Sequence, residues 1–199
     1  MTMNKADKLE AYKKYGVRIG TKGANKFMEK FVFKRIPNKF VIFNVKMIDE
    51  RIKLGAKLLN NYKRKEVLLV STFDEAYYAV YNFSRIMGVS VNFGRYLAGS
   101  LTNISYDNFF EPKIVFVTDP LTDRRAIKDA KRINIPVMAI CNNDSSLRFI
   151  DLIIPGNNKK AESVGFILFL LANDMANDKE RSVLSKITFE DFISKEISI

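Results

Sequence analysis

Residues 113–140 read KIVFVTDPLTDRRAIKDAKRINIPVMAI, and this stretch decides the fold. Lys113 to Val117 is an apolar run of strand length, ended by the turn chemistry of Thr118-Asp119-Pro120. Residues 122–133 follow with Ala126, Ile127, Ala130 and Ile133 at helical spacing, and Pro136 to Ile140 is a second apolar run. Strand, helix, strand of this length is a crossover unit that leaves its two strands parallel.

Working outward, the pattern repeats. Glu66 to Val70 is a buried strand. Residues 74–87 form a helix with Ala76, Val80, Phe83 and Met87 inward. Val89 to Phe93 and Asp151 to Ile154 are further strands, and residues 160–176 form the last strong helix. A helix opened by Asp49 and Glu50 sets Ile52, Ala56 and Leu59 on one face. Apolar strands alternating with helices predict a doubly wound α/β protein: a three-layer α/β/α sandwich with a parallel sheet of about five strands. Upstream lie a short helix over residues 5–15, with Gly16 as its stop, and two extended runs, Phe31 to Phe33 and Phe40 to Phe43, separated by a turn at Pro37-Asn38. The chain divides into a basic N-terminal helix and loop (1–38), an α/β core (39–178) and a C-terminal tail (179–199), whose last stretch from Ile187 is acidic and amphipathic.

Composition excludes several function classes. There are 199 residues, 47% apolar and 28% charged, enough for one domain with a real core. No apolar run approaches membrane-spanning length, Val164 to Ala172 being about half of it. The N-terminus MTMNKADKLE lacks the apolar region of a secretory signal. Histidine is absent, which removes imidazole-based triads, dyads and zinc sites. The single cysteine, Cys141, follows Val137-Met138-Ala139-Ile140 and reads as a small buried hydrophobe.

Charge is the loudest signal. Lys and Arg number 33 against 22 Asp and Glu, a net +11, and residues 1–40 alone hold 11 basic and 3 acidic side chains. That concentration points to a polyanion, nucleic acid, as partner. Arg18, Lys22, Lys26, Lys34 and Arg35 are the cations of this region. Tyr15, Phe27, Phe31 and Phe33 lie among them and are expected to face the core, leaving only the cations to contact phosphate.

In a doubly wound sheet, ligands gather at the carboxyl ends of the strands. No glycine-rich phosphate fingerprint opens any helix here. Asp119, Asp123 and Asp144 could approach one another and hold Mg²⁺, but they read better as turn and cap residues. The connection Gly94 to Asn103, GRYLAGSLTN, is long, and Arg95 with Ser100, Thr102 and Asn103 offers a fork and hydroxyls to phosphate. A nucleotide- or phosphosugar-binding enzyme is the alternative reading.

These residues resemble a known family. GRYLAGSLTN at 94–103, Glu111-Pro112, Val117-Thr118-Asp119-Pro120, Ile135-Pro136, Cys141-Asn142-Asn143-Asp144 and DLIIPGNNK at 151–159 are similar to the small-subunit ribosomal protein SA family, whose bacterial counterpart is the second protein of the small subunit. The resemblance runs in order over residues 10–176. It departs at Arg18, where the family has histidine, at Ala98, where the loop has proline, and at Lys160, where glycine follows Asn-Asn-Lys. Met28 to Arg35, Ser145 to Asp151 and Ser163-Val164-Gly165 look like the eukaryotic branch, without the acidic C-terminal extension of its animal members.

The resemblance implies a flavodoxin-like core, no catalysis and no cofactor. It implies a cytoplasmic, structural, single-copy constituent of the small subunit near the mRNA exit, binding rRNA and neighbouring ribosomal proteins and supporting assembly. Arg124, Arg125, Lys159 and Lys160 join the cations expected to face RNA.

Overall fold

The structure is a computed structural model and describes residues 5–22, 25–37, 40–107 and 109–197. Asn38 of the expected turn and the last two residues of the tail lie outside that description.

Five strands form the central sheet: β4 (Val67–Ser71), β5 (Ser90–Phe93), β6 (Ile114–Val117), β7 (Val137–Cys141) and β8 (Leu152–Pro155). Their order is β5-β4-β6-β7-β8 and every pairing is parallel. Every residue of β4, β6 and β7 is buried, as continuous apolar runs require when both faces are covered. Edge strand β5 leaves Val91 exposed.

Right-handed crossovers fix the layers. From β4 the chain passes through α3 (Tyr77–Met87) outward to β5, and from β6 through α4 (Arg124–Arg132) in the opposite direction to β7. The two helices therefore cover opposite faces. On the α3 face, α5 (Ala161–Met175) packs between α3 and α2 (Val45–Asn60). On the other face, α4 shares the surface with two irregular connections, residues 94–113 and 142–151. This is the expected three-layer α/β/α sandwich, with loops supplying much of one layer.

Helix α2 begins before the expected Asp49, because Asn44 caps it by accepting the Lys46 N–H at 3.1 Å. Its inner face carries Ile48, Ile52, Ala56 and Leu59. Helix α3 stops at Gly88, whose φ of +64° lets its N–H reach the Ser84 carbonyl.

The N-terminal region builds its own small sheet. After α1 (Lys5–Lys14), β1 (Ile19–Gly20), β2 (Val32–Arg35) and β3 (Val41–Phe43) pair antiparallel in the order β1-β3-β2. Tyr12, Met28, Phe31 and Phe43 are fully or almost fully buried in the same apolar core as the large sheet.

The tail is docked. Beyond a short α6 (Asp178–Leu184), which the sequence reading missed, α7 (Phe189–Ser194) buries Phe189 and Phe192. Phe189 meets Tyr15, Phe166 and Phe169 with ring centroids at 4.3, 5.4 and 5.8 Å. The buried Asn82 amide donates to the carbonyls of Phe192 and Lys195 at 2.9 and 2.8 Å and accepts from the Ile197 N–H at 3.0 Å. Full burial of one Phe side chain contributes about 2–3 kcal/mol, so the tail is held by apolar area and by a polar clamp.

Candidate nucleic-acid interface

The carboxyl ends of β6, β7 and β8 are filled by the protein's own polar groups. Thr118 Oγ1 donates to Ser71 Oγ at 2.8 Å. Asp119 accepts from Asn158 Nδ2 at 3.1 Å and from Lys159 Nζ at 2.5 Å. Asn142 Oδ1 accepts from the backbone of Thr21 at 3.0 Å and of Asn143 at 2.8 Å. Asn25 donates to the Ser145 carbonyl at 2.8 Å, and the Asn157 N–H donates to the Val17 carbonyl at 2.9 Å. The N-terminal segment thus crosses these strand ends and is laced to them. Buried polar groups need such partners, because an unpaired one costs about 1–3 kcal/mol.

Asp119 and Asp123 are structural here. Asp123 accepts from Thr72 Oγ1 at 2.5 Å, and burial pushes its carboxyl up from 3.8 to about 6. Asp144 is exposed, and among the described residues no three Asp, Glu, His or Cys side chains converge. Cys141 is fully buried, as its apolar context required, and burial pushes its thiol far above the ordinary range.

An opening remains at the ends of β4 and β5. A groove of about 350 Å³ lies among Thr72, Arg95, Tyr96, Thr122 and Arg125. Asp129 builds it: the carboxylate accepts from Tyr96 OH at 3.1 Å and from the Gly99 N–H at 2.8 Å. That staple lays the 94–103 loop on α4 and brings Arg95 beside Arg125. Of the other loop candidates, Ser100 is buried with its hydroxyl donating to the Leu97 carbonyl at 2.7 Å, whereas Thr102 and Asn103 are exposed.

Helix α4 carries more cations than the sequence reading singled out. Ala126, Ile127, Asp129 and Ala130 are buried, so Arg124, Arg125, Lys128, Lys131 and Arg132 form its outer face. Only Arg132 of this set is tied to a carboxylate among the described residues, Asp129 at 3.2 Å. The helical spacing of the buried positions was the signal that would have found Lys128, Lys131 and Arg132. Arg148 extends the face: its guanidinium lies 4.7 Å from the Phe149 ring centroid, which Lys131 approaches at 5.9 Å.

The remaining predicted cations are dispersed. Arg18 is half-buried and its carbonyl accepts from the Phe43 N–H at 2.8 Å. Lys22 is exposed with its ammonium 5.2 Å from the Phe40 ring centroid. Lys26 sits exposed on a 3₁₀ turn, Lys26–Phe31, and Lys34 and Arg35 are exposed on β2. Arg35 pairs with Glu29 at 2.7 Å, Lys159 with Asp119, and Lys160 with Glu162 at 3.5 Å. One expectation is corrected. Tyr15 and Phe31 do pack inward, but Phe27 and Phe33 are 74% and 72% exposed. The 3₁₀ turn rotates Met28 and Phe31 into the core and so turns Phe27 out.

Comparison with known proteins gives the chain's relatives. The family described as Ribosomal protein S2 matches residues 105–177. The small ribosomal subunit protein uS2 of Ignicoccus hospitalis is 38% identical over 184 residues, 92% of this chain and 86% of that protein. That of Staphylothermus marinus is 39% identical over 171 residues, 86% and 78% of the two chains. That of Saccharolobus solfataricus is 34% identical over 171 residues, 86% and 74%. These relatives are archaeal and do not carry the eukaryotic expectation.

Proposed function

Because this chain belongs to the ribosomal protein S2 (uS2) family, we propose that it is a structural constituent of the small ribosomal subunit, binding rRNA and neighbouring ribosomal proteins and catalysing nothing. The observation that carries this is 38% sequence identity with a uS2 protein over 92% of the chain. Its place of work is then the cytoplasmic ribosome, as one copy per subunit. Among the described residues no helix is long and apolar enough to cross a membrane.

The geometry supports the reading in two ways. At the ends of β6, β7 and β8, Asp119, Asn142 and Asn158 are engaged in internal hydrogen bonds, so these side chains shape the molecule. The outer face of α4, with Arg95 and Arg148, offers cations of which only Arg132 is paired with a carboxylate among the described residues, and such cations neutralise phosphates and release counterions. Thr102, Asn103, Lys22, Lys26 and Lys34 add reach to the same kind of contact. Exposed Ile104 and Leu97 on the 94–113 connection suit a protein neighbour.

Sedimentation of native lysate through a sucrose gradient tests the proposal. Co-migration with the small subunit that survives high salt is expected. Migration only at the top of the gradient overturns it.

A further inference from the structure

A groove of about 540 Å³ lies beside Arg148, between the 3₁₀ turn and the connection that precedes β8. Phe27, Leu147 and Ile153 make it apolar, and Lys30 and Arg148 stand on its rim. Asn25 fixes its wall. The Asn25 amide donates to the Ser145 carbonyl at 2.8 Å, and its oxygen accepts from the Phe27 N–H at 3.0 Å. The turn that carries Phe27 is therefore pinned at both its cap and its buried Met28 and Phe31, and the ring is displayed from a rigid base.

An aromatic ring left 74% exposed costs apolar hydration that no described residue offsets. It is flanked by Lys26 in sequence, by Lys30 three residues on along the same 3₁₀ turn and by Arg148 from the other wall, while nearby Glu29 is occupied by Arg35 at 2.7 Å. A flat apolar face inside a ring of cations is complementary to a ligand that is flat and apolar where it stacks and anionic at its edges. Unpaired nucleotides have that make-up, because every base has a π-face and every linkage a phosphate.

We propose that this groove holds a short segment of single-stranded RNA, one base stacked on Phe27 and its phosphates neutralised by Lys26, Lys30 and Arg148. The inference rests on the reading of the chain as a component of a ribonucleoprotein particle. It adds a site for unpaired nucleotides that shares Arg148 with the cationic face of α4.

The chain contains no tryptophan, which gives a direct probe. Phe27→Trp in the full chain places a single indole in the groove. Titration with decauridylate should quench its fluorescence saturably, and a duplex RNA of equal phosphate content should quench it much less. Anisotropy with labelled decauridylate should show Phe27→Ala weakening binding by about tenfold with an unchanged salt slope, and Phe27→Tyr restoring it. Lys30→Ala and Arg148→Ala should instead flatten the salt slope. Circular dichroism verifies that each variant is folded.

Undiminished binding by folded Phe27→Ala, or equal quenching by duplex, overturns the proposal. So does quenching by an acidic, leucine-containing peptide without quenching by RNA, which would make the groove a protein-docking site. Co-sedimentation of the unmodified chain with the small subunit separates these failures from failure of the ribosomal reading itself.

Discussion

Asn158 Nδ2 donates to Asp119 Oδ1 across 3.1 Å, tying the loop after β8 to the loop after β6. The same carboxylate holds Lys159 and, through the Leu121 N–H at 3.0 Å, shapes its own turn. The Asp119 side chain is only 5% exposed, whereas the Lys159 side chain that reaches it is 39% exposed, so the Asn158 bond is the one made away from bulk water.

Asp119→Ala should therefore lower unfolding free energy by about 2 kcal/mol, because it leaves buried donors without an acceptor. Asp119→Asn, which keeps one oxygen, should cost less. Urea denaturation monitored by far-UV circular dichroism gives both midpoints. An unchanged midpoint for the alanine variant would contradict the account.

Asp123 makes stability depend on pH in the unusual direction. Burial raises its folded-state pKa from 3.8 to about 6, against hydrogen bonds from Thr72 and the Asp119 backbone that pull it down. The native state then binds the proton more tightly than the unfolded state. The associated stabilisation is complete below about pH 4 and is lost as pH rises through about 6, on the order of 3 kcal/mol. Asp123→Asn removes the titration and should be relatively more stable at pH 7 than at pH 4. Paired urea melts at pH 4, 5, 6 and 7 isolate the difference, and a constant offset between the two proteins would refute it.

Gly165 on α5 lies under the tail. A Cβ placed there would sit 2.5 Å from Ile193 Cγ2 and 3.3 Å from the Ala79 side chain. Gly165→Ala should displace α7 and destabilise by about 1–3 kcal/mol. Limited proteolysis should cut the tail of the variant first, and adding Ile193→Ala should restore part of the protection. Equal protease resistance of variant and parent would show that the helix accommodates the methyl.

The outer face of α4 predicts an electrostatic signature. Arg125→Ala and Lys128→Ala should each weaken binding to small-subunit rRNA. Each should also flatten the plot of log K against log salt, by about 0.7–0.9 per lost phosphate contact. Arg35→Ala, whose cation is shared with Glu29, should change that slope less. Filter binding at four salt concentrations distinguishes the two classes.

Legibility in the sequence followed the range of the interaction. Lys113 to Ile140 announced strand, helix and strand because apolar spacing is a local property, and the observed β6, α4 and β7 fall within two residues of that reading. Cys141 was legible for the same reason. Helix α6 was not, because its DKERSVL carries one buried side chain, Leu184, and its start depends on an Asn177 cap instead of an apolar stripe. Among the site residues, Arg95 and Arg125 were each visible, but their meeting was not.

The sequence by itself determined the parallel α/β core, the inner faces of its helices and the basic character of its surface, since each depends on residues a few positions apart. The tertiary structure alone decided which cations share a groove. Tyr96 reaches Asp129 over 33 positions to seat Arg95, and Thr21 reaches Asn142 over 121 to close the strand ends. It also decided that Phe27 faces solvent and that Phe192 does not. Both are exposed to the same hydrophobic driving force, and only the arrangement of distant partners determines which ring finds a core to enter.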